Sequence, residues 1–521
     1  MDFNAIRVLV TIICCIFLSV VWYYVQKYRK WTTILNKIPG PKPWPLFGNA
    51  ITFIGPREEI SKKAFEVIAP FSKSGDLMLF WMGLIPQVHL LKAKAAKVLL
   101  SSTTNINKAS IYGYLHKWIG TGLLTSTGTK WQQRRKLITP SFHFRILDNF
   151  LQVMNEQADI LVELLQQQCN GKKISDEFNI YSYITRCTLD IICETAMGKG
   201  VNAQRNVDSD YVNAVYNLTQ LITKRMMSPW LAQEWIFQLS PSGRLQKRCL
   251  QIVHKFTNKI IKMKRAELEK SQRINTRKAE ENDEFGMGIK RRIALLDLLL
   301  ENSLQETNNS LKLSDDDIRE EVDTFMFEGH DTTSVGISWS LYLIGQHPDI
   351  QQQILNEIIT VLGKERKPIT GDDLHKLKYL ECVIKESMRL FPPVPFVGRN
   401  LSHDLDICGY TIPKGVTVIT APYWIHRDET VYPDPEKFDP DRFLPENVQS
   451  RDPYAYLPFS AGLRNCIGQR FAMMEEKVVL SRIVQNFNVK TVVEEDLLSN
   501  VIGELVLRPI RGIRVQLELR D

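Results

Sequence analysis

The sequence predicts a mainly α-helical fold with small β-sheets, of the α+β class. Two apolar stretches bounded by Gly or Pro, "DLMLFWMG" and "QVHLLKA", predict short strands. From there to about Pro348, apolar residues mostly recur at three- and four-residue intervals, as in residues 251–270, which is typical of amphipathic helices. With 44% hydrophobic and 24% charged residues, the composition is that of a globular protein and excludes a disordered one.

The charge balance and the cysteines limit the class of function. A net charge of +8 over 521 residues is modest and no nucleic-acid motif accompanies it, so we expect no nucleic-acid partner. The nine cysteines have no CxxC or zinc-ligand spacing. This pattern favours a reducing compartment and mostly inert, buried thiols.

The first element is an apolar segment that predicts a membrane anchor over residues 1–30. Residues 8–26 carry no charged side chain, and their number is about that needed to cross a bilayer core. Aromatic residues at 22–24 suit an interfacial belt, and the cations that follow place the downstream chain in the cytoplasm: Lys27, Arg29 and Lys30. The alternative, a cleaved signal peptide, is disfavoured because no small-residue cleavage site follows.

The second element is a Pro-rich hinge over residues 31–50. Its repeated prolines, in "IPGPKPWPLFGN", cannot continue a helix and predict a stiff, extended connector, although an ordinary loop would look the same. Residues 51–521 then form the cytosolic domain. Within it, residues 271–292 are polar and charged and predict a mobile surface connection.

One helix of this domain is well marked and crosses it. Ser314 is its predicted cap, three aspartates follow in the first turn, and Gly345 and Pro348 mark its end. Its length of about 45 Å is enough to cross a domain.

A polar stripe lies on this helix. Thr324, Glu328 and Thr332 are spaced four residues apart, with Asp331 beside the last, in the apolar context of "FMFEGHDTTS". A buried carboxylate costs several kcal/mol unless it has a partner or a function, so the stripe indicates a site. The alternative is a helix kinked at Gly329 with hydroxyls satisfied by its own backbone.

A second candidate site is the cysteine loop "FSAGLRNCIGQRF". Cys466 precedes a predicted helix N-terminus, where the dipole and free N–H groups favour a thiolate. Gly462 and Gly468 bracket the thiol and let a flat ligand approach the backbone, and Arg464 brings a cation for a carboxylate. A lone cysteine is more often a buried hydrophobe, but this constellation favours a ligand.

This loop, from Phe459 to Gly468, resembles the haem-binding signature of the cytochrome P450 superfamily, Phe-x-x-Gly-x-Arg-x-Cys-x-Gly. The resemblance implies the cytochrome P450 fold and haem b held by the thiolate of Cys466. Thiolate ligation favours O–O cleavage, so it implies oxygen activation.

Further motifs occur in the family's order. Glu386 and Arg389 of "ESMR", with Arg442 of "PDRF", resemble its structural ion-pair network.

"WQQRR" resembles the family's Trp-x-x-x-Arg, which implies that Trp131 and Arg135 bind a haem propionate, with Arg399 as another partner. Lys130 and Arg134 lie on an adjacent stripe, and we hypothesise that they dock an acidic electron donor, although generic solvated charges would look the same.

"EGHDTT" resembles the family's oxygen-activation motif. On this resemblance Thr332 and Asp331 supply protons to dioxygen, the carboxylate connecting to solvent, and Gly329 leaves a gap for dioxygen. Glu328 stands where most members have Ala or Gly, and "FMFEGHDTT" resembles the fatty-acid ω-hydroxylase branch, family four. In several members of that branch the matching glutamate becomes ester-linked to a haem methyl during turnover; a non-covalent Glu328 is the alternative.

The resemblance implies a monooxygenase of the endoplasmic reticulum (microsomal) membrane, with its catalytic domain on the cytoplasmic side. Expected partners are an NADPH-dependent flavoprotein reductase, cytochrome b5, the lipid bilayer, dioxygen and a lipophilic substrate. That substrate is a fatty acid or related lipid hydroxylated at or near the ω carbon, with hormones and xenobiotics as alternatives. An oxygen-independent isomerase or a haem-binding sensor is disfavoured, because neither needs the Asp331–Thr332 pair.

Overall fold

The computed structural model describes residues 3–206, 210–280, 294–304, 312–492 and 500–520. Helices dominate these residues and small sheets lie beside them, as the sequence predicts. The helices of the first part of the chain are α1 Phe3–Leu35, α2 Arg57–Ser74, α3 Ala93–Leu100, α4 His116–Ile119, α5 Gly128–Ile138, α6 Phe144–Gln168, α7 Tyr181–Thr195, α8 Asp210–Met226, α9 Glu234–Leu239, α10 Pro241–Glu280 and α11 Leu295–Leu304. Those of the second part are α12 Asp315–Gln346, α13 Pro348–Leu362, α14 Gly371–Lys376, α15 Lys378–Leu390, α16 Pro422–Ile425, α17 Pro445–Val448 and α18 Gln469–Asn486.

The strands of the described residues form one four-stranded, one three-stranded and two two-stranded sheets. The four-stranded sheet has the order β1 (Leu77–Met82), β2 (Ile85–Leu90), β7 (Thr417–Thr420), β4 (Val397–Asn400). In the three-stranded sheet, β11 (Arg514–Leu519) lies between β3 (Phe178–Asn179) and β8 (Phe487–Thr491). The two-stranded sheets pair β9 (Val501–Gly503) with β10 (Leu507–Pro509), and β5 (Leu405–Ile407) with β6 (Tyr410–Ile412). The two predicted strands are β1 and β2, which form an antiparallel hairpin.

Helix α12 is the predicted domain-crossing helix and lies at the centre of the core. Ser314 caps it in a capping box: its hydroxyl accepts from the Asp317 N–H, and the Asp317 carboxylate accepts in return. The helix runs for 32 residues, about 48 Å, and ends just before Pro348. It packs against α7, α15 and α18, so its side chains can reach the middle of the domain.

The N-terminal helix α1 continues five residues beyond the predicted anchor boundary, to Leu35. Across the described residues, no helix combines the length and the apolar character needed to cross a membrane. The Pro-rich segment that follows α1 is fixed to the sheet: Ile38 is buried, and the Leu79 N–H donates to the Pro39 carbonyl at 2.9 Å.

The connection predicted over residues 271–292 is wrong for its first part. Helix α10 continues through residue 280, because its helical backbone bonds need no apolar face once the helix has formed. Residues 281–292 lie outside the described residues.

Candidate active site

Two adjoining cavities lie against α12. The cysteine cavity, of about 210 Å³, is lined by the loop before α18, including Phe459, Cys466 and Gly468. The apolar cavity, of about 230 Å³, is lined mainly by Phe, Ile, Leu and Met side chains from α2, the four-stranded sheet and α8. Both cavities are lined by Lys108, Leu124, Glu328, Thr332, Val394 and Val397, so they meet at the polar stripe of α12.

The cysteine loop holds the Cys466 thiol at the wall of its cavity. The Cys466 N–H donates to the Phe459 carbonyl at 2.9 Å, and the Gly468 N–H donates to the sulfur. Helix α18 begins at Gln469, as predicted. Burial raises the pKa of Cys466 to about 11, while the Gly468 N–H at the start of the helix acts in the opposite direction and favours the thiolate, as expected for a helix N-terminus. Deprotonation needs a cation at the sulfur, which a bound metal ion supplies.

Gly468, Gly462 and Gly329 each exclude a side chain, but for different structural reasons. Gly468 lines the cavity, and an added Cβ would lie 3.9 Å from the Cys466 sulfur, which fits the expected close approach of a flat ligand. Gly462 has a φ of +71°, and its Cβ would lie 1.9 Å from the Leu100 carbonyl oxygen, so packing rather than a ligand requires it. At Gly329 a Cβ would lie 2.6 Å from Ile192 on α7, so helix packing requires its small size. Gly329 also lines the cysteine cavity, and the gap for dioxygen stays a prediction.

Three cations, Lys108, Arg399 and Arg464, lie close enough to interact, and Lys108 lines the wall that the two cavities share. Arg399 is buried, with its Nη1 atom lacking a hydrogen-bond partner among the described residues, and the Arg464 Nε atom is likewise buried without one. The Arg464 guanidinium lies 4.5 Å from the centre of the Trp131 ring. Burial and the charge of Arg399 lower the pKa of Arg464 to about 9, and burial with both arginines lowers that of Lys108 well below its usual value.

A group with two negative charges at this wall would offset the repulsion among the three cations and would accept hydrogen bonds from the unpaired arginine nitrogens. The two propionates of haem fit that description, so the residues present fit the cofactor that the resemblance implies. Lys108 was missed from the sequence because "NINKAS" contains no motif that marks it.

Trp131 and Arg135 both line the cysteine cavity, but Arg135 has another partner. It donates to the Asn465 carbonyl and side-chain oxygens, each at 2.9 Å, and so holds the backbone next to Cys466. The docking hypothesis for the neighbouring stripe is wrong for Arg134, which is buried in ion pairs with Asp317 and Glu321. Lys130 pairs with the same helix, at 3.0 Å from Glu320.

Glu328 lines both cavities, and its environment explains how a carboxyl group is tolerated there. Burial raises its pKa to about 7, while the Lys108 ammonium opposes that shift. Glu328 is therefore poised between its neutral and charged forms near neutral pH.

Thr332 and Asp331 point to different surroundings. The Thr332 hydroxyl lines both cavities and donates to the Glu328 carbonyl at 2.6 Å, which leaves its oxygen lone pairs available. Asp331 is buried in an ion pair with Arg508, and its connection to solvent, which the resemblance implies, stays a prediction. Arg508 was not identified from the sequence, because a single arginine in a strand far along the chain belongs to no recognisable motif.

Glu386, Arg389 and Arg442 come together behind the cysteine loop. Arg389 donates to both Glu386 carboxylate oxygens, at 2.7 and 2.8 Å, and the Arg442 Nε atom lies 3.6 Å from Glu386. His426 connects this group to the loop: Nδ1 faces the Arg389 carbonyl at 3.2 Å, and Nε2 accepts from the Leu457 N–H at 2.7 Å. Burial lowers the pKa of His426 to about 3, which keeps the imidazole neutral for this role. No sequence pattern pointed to His426.

Comparisons with known proteins agree with this geometry. The family model described as Cytochrome P450 matches residues 38–517. Cytochrome P450 4V2 of Mus musculus is 46% identical over 511 residues, covering 97% of this chain and 94% of the relative. Cytochrome P450 4c3 of Drosophila melanogaster is 41% identical, with 96% and 92% covered, and Cytochrome P450 4c21 of Blattella germanica 42% identical, with 99% and 100% covered. The chain therefore belongs to the cytochrome P450 family, in its family-four branch, and is a haem-thiolate monooxygenase that uses dioxygen and a reductase.

Proposed function

We propose that this monooxygenase hydroxylates fatty acids or related lipids at or near their terminal carbon, using electrons that a flavoprotein reductase takes from NADPH. The observation that carries the proposal is the apolar cavity, which ends at Glu328 and Thr332 beside the cysteine cavity. An alkyl chain that enters such a cavity end first brings its terminal carbons to that junction. Its Phe, Ile, Leu and Met lining favours hydrocarbon over polar substrates.

In this proposal Cys466 ligates the haem iron, which supplies dioxygen activation when bound. Lys108, Arg399 and Arg464 bind the propionates, and the ring of Trp131 packs against the Arg464 guanidinium. Arg135 keeps the cysteine loop in place through Asn465.

Thr332 is proposed as the hydroxyl that passes protons at the junction of the cavities. Its donated hydrogen is bonded to the Glu328 carbonyl, so its oxygen can accept a hydrogen bond from a water molecule in the cavity. Asp331 can join the proton path only when Arg508 releases it, because both side chains are buried.

Glu328 is proposed to form an ester with a haem methyl group. With haem bound, a carboxylate oxygen of Glu328 would replace one hydrogen of the methyl group, which would leave as a proton, while two electrons would pass to dioxygen during turnover. The position of Glu328 in both cavities and its raised pKa support this step, since an ester removes the cost of a buried charge.

We further propose that the chain is anchored in the endoplasmic reticulum membrane, with cytochrome b5 as a second electron donor. Large apolar side chains of α1 are exposed around the helix, including Ile16, Phe17 and Trp22 at 60–66%. Others are exposed in the segment between α1 and α2, including Leu46, Phe47 and Ile54. Contact with lipid would remove this surface from water.

Two measurements test these proposals. With purified reductase and NADPH, a saturated long-chain fatty acid should give mainly the terminal alcohol in mass spectrometry of the products. Absence of any fatty-acid product, or mainly mid-chain products, would overturn the substrate assignment. On acid reverse-phase chromatography after turnover, haem absorbance should elute with the polypeptide, and this should be lost in Glu328→Ala; free haem in both proteins would overturn the ester.

A further inference from the structure

Strand β2 presents a polar face to the apolar cavity. Gln87 and His89 alternate with Val88 and Leu90, a pattern that is typical of a strand with one face exposed to solvent. Here Val88 and Leu90 lie in a buried core, while Gln87 and His89 line the cavity at 6% and 8% exposure. Both faces of β2 are thus buried.

His89 has no partner for its ring nitrogens. Nδ1 and Nε2 are both buried without a hydrogen bond among the described residues. The surrounding rings are apolar: Phe80 lies edge-on at 5.9 Å between centroids and Phe396 at 6.4 Å. Because an unsatisfied buried polar group costs about 1–3 kcal/mol, a ligand group that bonds this imidazole would gain binding energy.

The imidazole is neutral, which fixes what it can bind. Burial lowers the pKa of His89 to about 4, so near neutral pH it offers one N–H donor and one nitrogen acceptor. A hydroxyl or carbonyl oxygen can use such a group without bringing a charge into the cavity.

The other charges of the cavity also disfavour an anion near His89. Among the described residues that line it, Lys108 is the cation, and its ammonium is engaged electrostatically with Glu328. Glu504 adds a carboxylate to the same lining. A substrate carboxylate beside His89 would therefore be buried without a counter-ion.

Strand register gives the position of His89 relative to the junction of the cavities. His89 pairs with Ile419 on β7, and Ile419 pairs with Gly398 on β4. Two strand spacings separate His89 from Gly398 by about 10 Å. Gly398 follows Val397, which lines both cavities. His89 therefore lies about 10 Å from the junction of the cavities, along the proposed path of the substrate.

We propose that His89, with Gln87 beside it, hydrogen-bonds an uncharged oxygen group, a hydroxyl or carbonyl, carried part-way along the lipid substrate. The inference rests on the proposed lipid hydroxylation and specifies it: the preferred substrate is an oxygenated lipid and not a plain alkyl chain. A site built to hydrogen-bond an oxygen discriminates strongly against the analogue that lacks it.

The test is a binding titration of the haem-loaded enzyme, followed by the absorbance change of the haem. The two probes are a saturated sixteen-carbon fatty acid and the same acid with one hydroxyl near the middle of the chain. The wild type should bind the hydroxy acid at least about fivefold more tightly, the worth of one hydrogen bond. His89→Phe, which keeps a ring but removes both nitrogens, should bind the two acids within about twofold of each other.

Two further variants sharpen the result. His89→Gln restores an uncharged donor and acceptor and should recover part of the preference, which also serves if the Phe variant folds poorly. His403→Phe makes the same side-chain change at an exposed histidine outside the lining of the apolar cavity and should keep the wild-type preference.

The proposal is overturned if the wild type binds both acids equally, or if His89→Phe keeps the full preference. These failures differ from failure of the proposed function, in which the saturated acid neither binds nor reacts with the wild type. In that case binding of the hydroxy acid alone, lost in His89→Phe, would still support the role of His89.

Discussion

Asp331 and Arg508 form an ion pair inside the protein, and each residue is only 2% exposed. The Arg508 guanidinium also lies 5.1 Å from the centre of the Tyr216 ring, and its pKa is raised above its usual value because the charge of Asp331 outweighs burial. The acid next to Thr332 is therefore buried and paired with a cation.

Removal of that cation should destabilise the protein. In Arg508→Met the Asp331 carboxylate stays buried without compensation, so we expect the free energy of unfolding in urea to fall by about 3–5 kcal/mol. The double variant Asp331→Asn/Arg508→Met should recover much of this loss, since no charge is left unpaired. Arg514→Met, which breaks an exposed pair with Glu177, is the control and should cost less than about 1 kcal/mol. An Arg508→Met protein as stable as the wild type would show that the pair contributes nothing in solution.

Thr332→Ala should separate electron consumption from product formation. Loss of the hydroxyl at the junction of the cavities removes the proposed proton carrier, so product per NADPH should fall at least about tenfold while peroxide rises. Thr332→Ser keeps the hydroxyl and should retain most of the coupling. Thr333→Ala is the neighbouring control, because its hydroxyl bonds the Gly329 carbonyl at 3.0 Å and Thr333 lines the cysteine cavity alone, away from the junction. Equal coupling in the three variants would exclude the role of Thr332.

Local signals were enough to predict α12 and the cysteine loop. The cap at Ser314, the end before Pro348 and the position of Cys466 ahead of α18 depend on residues within a few positions of each other. The rest of the site depends on distant segments. Arg508 is 177 positions from Asp331, and Arg135 is 330 positions from Asn465, so no periodicity or spacing relates them.

The glycines and charges illustrate a second limit. A glycine in a motif says that a side chain is excluded, but only packing shows that Gly329 accommodates Ile192 and Gly462 accommodates the Leu100 carbonyl. In the same way, the stripe containing Arg134 looked solvated in sequence, because the acidic partners of that residue on α12 come almost two hundred positions later.

Lys108→Met should move the pH dependence of ester formation upward. The Lys108 charge lowers the pKa of Glu328, so without it the carboxyl group keeps its proton to a higher pH. If the carboxylate is the bond-forming species, the fraction of polypeptide-bound haem after turnover at pH 7 should fall and should recover toward pH 8–9. Acid reverse-phase chromatography across this range measures it, with Lys117→Met, at an exposed cation, as control. An unchanged pH profile would mean that Lys108 does not control Glu328.

Glu476 should make the protein less stable as pH rises. This residue on α18 is 2% exposed, its Oε2 atom has no hydrogen-bond partner among the described residues, and burial raises its pKa to about 8. Between its usual pKa of 4.5 and that value, the folded state keeps a proton that the unfolded state releases. The contribution of Glu476 to the free energy of unfolding is therefore greatest below pH 4.5. It decreases as pH rises toward 8, by up to about 1.4 kcal/mol per pH unit.

Glu476→Gln replaces the carboxyl group with a neutral side chain of the same shape and should remove this slope. We expect the variant and the wild type to have similar unfolding free energies near pH 5, and the variant to be the more stable at pH 8, by on the order of 1–4 kcal/mol. Urea unfolding of the haem-loaded proteins at several pH values measures the difference, with the exposed Glu446→Gln as control. Parallel curves for wild type and Glu476→Gln would mean that Glu476 is ionised in the folded protein, with its charge compensated by a group that enters the cysteine cavity.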